Sequence, residues 1–273
     1  MKLFMRLNVK FIFSFFTALL LAFSAQAQSL DASYAAWNSL LVKHVKYLPD
    51  NKQSRVNYKG FAADRAELKK VLDSLSAVSK ADFDKLSRDE RMAFLINAYN
   101  AFTIELILTK YPDVKSIKDL GSFASSPWKK KFFTLMSAET NLDSIEHTEL
   151  RPKYQDPRVH AAIVCASIGC PALRPEAFTA AKLEAQLEDG MQRFVTDRTR
   201  NKITAKGLEV SSIFKWFKED FEKGHKGFSK VEDVFAKYAA QVTDNAEEQA
   251  KLKAKTLTIS YLDYDWSLND AGR

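Results

Sequence analysis

The densest group of reactive side chains lies between Asp156 and Arg174, DPRVHAAIVCASIGCPALR. It holds both cysteines of the chain, Cys165 and Cys170, and one of its four histidines, His160. Three chemistries suit that set. A disulfide is the default for two cysteines in an oxidising compartment. Closing so short a loop is worth only ~2 kcal/mol, so a Cys165–Cys170 bond would shape the turn more than stabilise the fold. A thiol nucleophile is the second chemistry: a cysteine activated by a histidine, which a carboxylate or amide orients. The parts are Cys165 or Cys170, His147 or His160, and Asn97, Asn100 or Glu146. A metal site is the third, but Cys-x-x-x-x-Cys is wider than usual zinc spacing. Neither a metal nor another cofactor is expected, and the spacing is not the Cys-x-x-Cys of thiol oxidoreductases.

These residues need elements to carry them. Residues 158–165 are apolar enough for a buried strand, which would send His160 and Cys165, five apart, to opposite faces. His147 is therefore the expected base for Cys165, with Glu146 or Asn97 orienting it. Asn141 to Leu150 reads as a short helix capped by Asn141 or Asp143, with Glu146 and His147 adjacent on it. Ser87-Arg-Asp-Glu90 is a capping box opening a helix from Met92 to Leu108 that is apolar on nearly every side and so belongs inside the domain. Asn97 and Asn100 interrupt it on one face. Buried amides need partners, so the pair ties down backbone or points into a site. Asn100, Arg151, Arg158, His160 and Arg174 complete the candidate ligand-binding set; such arginines hold a carboxylate bidentately or pair with internal acids.

Elsewhere, residues 31–48 carry helical periodicity and a second helix is expected near 62–75. Further short strands are expected at 56–58 and 132–136. Pro175 marks the first turn of the helix striped by Leu183, Leu187, Met191 and Phe194. Residues 202–210 read as a hairpin and Ser211 caps an aromatic helix through Phe221. A capping box at Ser229–Glu232 opens another helix, and a polar one spans 245–252. Residues 256–261 alternate like a half-exposed strand. With no internal repeat or linker, the expected fold is a single mostly helical α+β domain over residues 28–273, built around the buried helix with a small, mainly antiparallel sheet.

Residues 1–27 read as a secretory signal peptide: Lys2, Arg6 and Lys10, an apolar run from Phe11 to Phe23, and an Ala25-Gln-Ala27 cut with no lipobox cysteine. The expected location is therefore periplasmic or extracellular. The apolar run is about 13 residues, short of the ~20 a membrane span needs. Removing the three basic residues lowers the formal charge from +7 to +4. The remaining Lys and Arg are interleaved with acids, a solvated surface and not a nucleic-acid stripe. The expected partner is a small molecule or peptide; sequence sets no oligomeric state.

AFLINAYNA at 93–101, LDSIEH at 142–147, DPRVH at 156–160, CASIGCP at 165–171, SIFKW at 212–216 and YDWSLN at 264–269 together resemble the family catalogued as domain of unknown function 547, which occurs in exported bacterial proteins and in plant proteins. The resemblance implies that Asn97, Asn100, Glu146, His147, Arg151, His160, Cys165 and Cys170 are signature positions; it brings no established reaction. By residue type alone, the set is analogous to papain- or transglutaminase-type thiol enzymes. The lead expectation is a cysteine-dependent hydrolase or acyl transferase. The alternative is a non-catalytic ligand- or protein-binding module with a structural Cys165–Cys170 disulfide.

Overall fold

A computed structural model describes residues 31–122 and 125–272. The signal-peptide reading of residues 1–27 falls outside that range. The capping box forms as read: Ser87 Oγ accepts from the Glu90 amide and Glu90 Oε2 accepts from the Ser87 amide at 2.7 Å. It starts the helix Arg88–Leu108, along which every residue from Met92 to Ile104 is buried. Helices Ala35–His44, Tyr58–Ala63 and Arg65–Ser76 pack around it to make the first hydrophobic core.

A second core is aromatic. Phe194 of helix Leu183–Val195, Phe214 of helix Ser212–Trp216, Phe221 of helix Lys218–Glu222 and Phe235 of helix Val231–Lys237 pack with ring centroids 5.0 to 5.4 Å apart around Phe214. Tyr264 packs against both cores, so the two bury their apolar surface across a shared boundary.

The strands are short. β1 (Val45–Tyr47) pairs antiparallel with β2 (Ser54–Val56), β3 (Phe133–Leu135) with β4 (Ala138–Thr140), and β5 (Lys202–Thr204) with β6 (Gly207–Val210). β7 (Ile259–Tyr261) joins β6 in parallel, Leu208 facing Ile259. The fold is the expected mostly helical α+β arrangement. Among the described residues, no helix is long and apolar enough to cross a membrane.

Several local expectations shift. The strand expected at 158–165 is absent: Asp156 accepts from the Arg158 amide at 3.0 Å and starts a 3-10 turn, Pro157–Ala161. The helix expected from Pro175 starts at Leu183. The capping box expected at Ser229–Glu232 is displaced by one residue, because Asp233 Oδ2 takes the amides of Ser229 and Lys230 at 2.7 and 2.9 Å.

Candidate functional site

Cys165 and Cys170 lie at disulfide distance, their sulfurs 2.21 Å apart with Cα atoms 6.2 Å apart. The turn between them is laced to the C-terminal segment. The amides of Ile168 and Gly169 donate to the carbonyls of Ser267 and Asp265, both at 2.8 Å, and that of Asn269 to the carbonyl of Ala166 at 3.1 Å. Gly169 permits this docking, since a Cβ there would come within 2.9 Å of the Tyr264 ring. Ala166 takes a left-handed φ of 62°, unusual for a residue with a Cβ. The segment thereby lays the Tyr264 hydroxyl on the cystine, 3.0 Å from Cys165 Sγ, 3.1 Å from Cys170 Sγ and 2.9 Å from Ser167 Oγ.

The cystine borders a cavity of about 250 Å³ whose walls include Trp128, Trp216, Phe217, Tyr264 and Trp266, with Glu146, His147 and His160 among its polar lining. Trp216 stacks on Trp266 at 5.6 Å, and Trp266 meets Trp128 edge-on at 5.9 Å.

Glu146 and His147 arrive on a helix that begins as expected, Asn141 Oδ1 accepting from the Ser144 amide at 2.8 Å. Over Ile145–Leu150 the helix widens to π geometry, an arrangement often found at functional sites. His160 comes from the 3-10 turn. Its Nε2 lies 2.8 Å from Asp220 Oδ2, its ring stacks on Phe217 at 3.9 Å, and its Nδ1 lies 3.9 Å from Glu146 Oε1. Burial lowers its pKa, against the pull of Asp220, and in its neutral form the ring donates from Nε2, since an ionised Asp220 can only accept. Asp220 also accepts from Arg151 Nε at 2.5 Å and Nη2 at 3.2 Å. Burial opposes the charge on Asp220, but His160 and Arg151 outweigh it and hold the carboxyl below its usual range. The other arm of Arg151 donates to His147 Nδ1 at 2.6 Å. Burial and that cation both lower the pKa of His147.

Burial pushes the Glu146 carboxyl up to about 7, while Arg151 and the Tyr99 hydroxyl, 3.4 Å from Oε2, pull the other way. Near neutral pH it is thus divided between acid and carboxylate. The value lies above that of an unfolded glutamate, so the folded state holds the proton more tightly. This stabilisation is complete below the unfolded value and is lost as pH rises through about 7. Glu146→Gln should therefore gain about 2 kcal/mol on the wild type between pH 5 and pH 8. Urea unfolding at both values checks this, and a pH-independent difference would contradict the burial argument.

The structure brings Glu146, His147, His160, Cys165 and Cys170 to one cavity, sets Arg151 against it on His147 and Asp220, and leaves the other expected residues elsewhere. Asn97, a candidate orienting group, instead clamps backbone: Nδ2 donates to the Phe178 carbonyl at 2.7 Å and Oδ1 accepts its amide at 3.0 Å. Asn100 does the same between the Ala162 carbonyl and the Val164 amide, both at 2.9 Å, and so fixes the approach to Cys165. Arg158 pairs with Asp156, Glu184 and Glu188, and Arg174 with Glu176 and Asp189; neither lines the cavity. Asn97→Ala should cost about 2 kcal/mol, because it strands a buried amide and carbonyl. Denaturant titration measures this, and a loss below about 0.5 kcal/mol would show the clamp to be dispensable.

Residues 83–195 match the family described as Protein of unknown function, DUF547. The match supports the resemblance read from the motifs, and within it lie Glu146, His147, His160, Cys165 and Cys170. Asp220, Trp216, Tyr264 and Trp266 lie beyond the matched span. No curated protein and no solved structure matches the chain.

Asp220 and the tryptophans were not among the expected site residues. Asp220 sits in the Lys- and Glu-rich run at 215–223, which reads as solvated surface. The YDWSLN motif was the available signal for Tyr264 and Trp266. Among the described residues, no group of three or more His, Cys, Asp or Glu is placed to hold a metal ion.

Proposed function

We propose that the cavity is the active site of a cysteine-dependent hydrolase or acyl transferase acting on an amide or thioester, with Cys165 as nucleophile and His160 as base. One observation carries the reading: an imidazole held by a carboxylate, His160 on Asp220, borders the same cavity as the half-buried Cys165. His160 takes the base role from His147 because it has the orienting carboxylate. The Nδ1 of His147 is occupied by Arg151, and its Nε2 lies 3.9 Å from Asp143.

With the Cys165–Cys170 bond open, His160 Nδ1 accepts the thiol proton and the thiolate attacks the acyl carbon. The proton then passes to the departing amine or thiol, and water or an acceptor nucleophile, giving its proton to His160, takes the acyl group and releases Cys165. Glu146, with a pKa near 7, is poised to give or take a proton at the same step. The aromatic walls hold the apolar part of the acyl group. The closed cystine is the resting form, and turnover follows its reduction by a thiol.

The test is turnover of acyl thioesters and peptide p-nitroanilides before and after treatment with 2-mercaptoethanol. Activity appearing only after reduction, and lost on iodoacetamide labelling of Cys165, supports the reading. Turnover with the cystine closed, or none from reduced protein whose Cys165 is alkylatable, overturns it.

The second reading is a binding module, favoured by the cystine itself and by three tryptophans lining the cavity. It predicts tryptophan-fluorescence changes on ligand addition that are the same in the oxidised protein and in a Cys165→Ser/Cys170→Ser double variant. Its recognition group is the aromatic wall, since Arg151, Arg158 and Arg174 are each already paired with protein carboxylates.

A further inference from the structure

The two sulfurs of the cystine have unlike surroundings. Both border the cavity, but Cys165 is half-buried whereas Cys170 is 3% exposed. Cys170 Sγ accepts from the Cys165 amide at 2.9 Å and has the hydroxyls of Tyr264 and Ser167 at 3.1 and 3.5 Å. The two hydroxyls are 2.9 Å from each other, so one can donate to the sulfur while receiving the other's proton. The hydroxyls lie as close to Cys165 Sγ, at 3.0 and 3.1 Å, and can receive whichever thiolate forms; the Cys165 amide is what favours negative charge on Cys170 over Cys165.

We infer that Cys165–Cys170 is a polarised disulfide that exchanges with low-molecular-weight thiols entering the cavity, the thiol attacking Cys165 and Cys170 departing as the thiolate. The thiolate of the small molecule forms a bond to Cys165 Sγ. The Cys165–Cys170 bond breaks, and its electron pair leaves on Cys170 Sγ, where the amide and the hydroxyls receive it. A second molecule of the same thiol then attacks the mixed disulfide, leaving Cys165 as a thiolate and releasing the small molecule's own disulfide. The cystine is reduced by two electrons and two small thiols are oxidised to one disulfide. Exchange is faster when the departing thiol is the better-stabilised anion, which sets the direction of attack.

This chemistry stands whether or not Cys165 goes on to attack an acyl carbon, because it is read from thiol release with no acyl substrate present. The experiment uses the oxidised full-length protein and 2-mercaptoethanol. Tyr264→Phe keeps the ring on Gly169 and removes only the hydroxyl. Losing one donor worth about one pKa unit, at a sensitivity of about one half, slows opening about threefold. Ser167→Ala should slow it in the same direction, and thermal melts confirm that both variants are folded. Single-cysteine variants assign the attacked sulfur. In Cys170→Ser, Cys165 should react with iodoacetamide at least about tenfold faster than Cys170 does in Cys165→Ser, because access from the cavity to the half-buried Cys165 outweighs the greater thiolate character of the 3% exposed Cys170. Equal labelling of the two, or opening that is unchanged or faster in both hydroxyl variants, overturns the inference.

Discussion

Cys165→Ser is expected to abolish acyl turnover, by at least about a thousandfold, whereas Cys170→Ser should be active without any added thiol. The two substitutions remove the same disulfide, so a purely structural role for the bond would make them equivalent. They differ in what remains. Cys170→Ser leaves a thiol at the half-buried position bordering the cavity that His160 also lines. Cys165→Ser leaves one at the position that is 3% exposed. Stability should separate far less than activity, because the loop is short and its entropic contribution is only ~2 kcal/mol in either variant. The measurement is turnover of the thioester panel by each variant with and without 2-mercaptoethanol, alongside thermal melts. Equal loss in both would assign the cystine to the architecture of the turn, and equal ligand-induced fluorescence changes would then favour the binding module.

Much of the frame was legible because its signals are local. The Ser87–Glu90 box, the all-round apolarity of the helix behind it and the Asn141 cap each depend on residues within a turn of one another. The backbone-tying role open to Asn97 and Asn100 followed from burying an amide on an apolar helix. The turn bearing His160 was misread for the opposite reason. Val159, Ala161, Ala162, Ile163 and Val164 have the composition of a strand, but Asp156 captures the Arg158 amide and bends the chain. With a 3-10 turn in place of a strand, His160 and Cys165 are no longer bound to opposite faces. Asp220 was illegible because its partners, Arg151 and His160, are 69 and 60 residues away, and nothing near it separates it from the lysines and glutamates around it. The arginines misled by type. A guanidinium fit to hold a ligand carboxylate is equally fit to hold Asp156 or Asp189, and in this fold it does.

Arg158→Met should be the costliest single substitution outside the cavity, at about 3–5 kcal/mol. Methionine keeps much of the volume and removes the charge. Arg158 is 1% exposed, and its Nε and Nη2 grip both oxygens of Asp156 at 3.0 and 2.7 Å. Its contacts with Glu184 and Glu188 contribute less, because those carboxylates are 73% and 35% exposed and water screens them. The cost falls on Asp156, a carboxylate 8% exposed that would keep the backbone amide of position 158 at 3.0 Å and Lys226 at 3.6 Å but lose the guanidinium. At roughly 2–4 °C per kcal/mol for a chain of this size, melting should fall by about 6–20 °C. Adding Asp156→Asn to Arg158→Met should recover part of the loss, since it removes the orphaned charge, and the double-mutant cycle measures the coupling. Because Asp156 also starts the Pro157–Ala161 turn that presents His160, the single variant should lose turnover at temperatures where it is still folded. The double variant should regain stability ahead of activity, because asparagine restores neutrality at the turn but not the two-pronged grip that aims the imidazole.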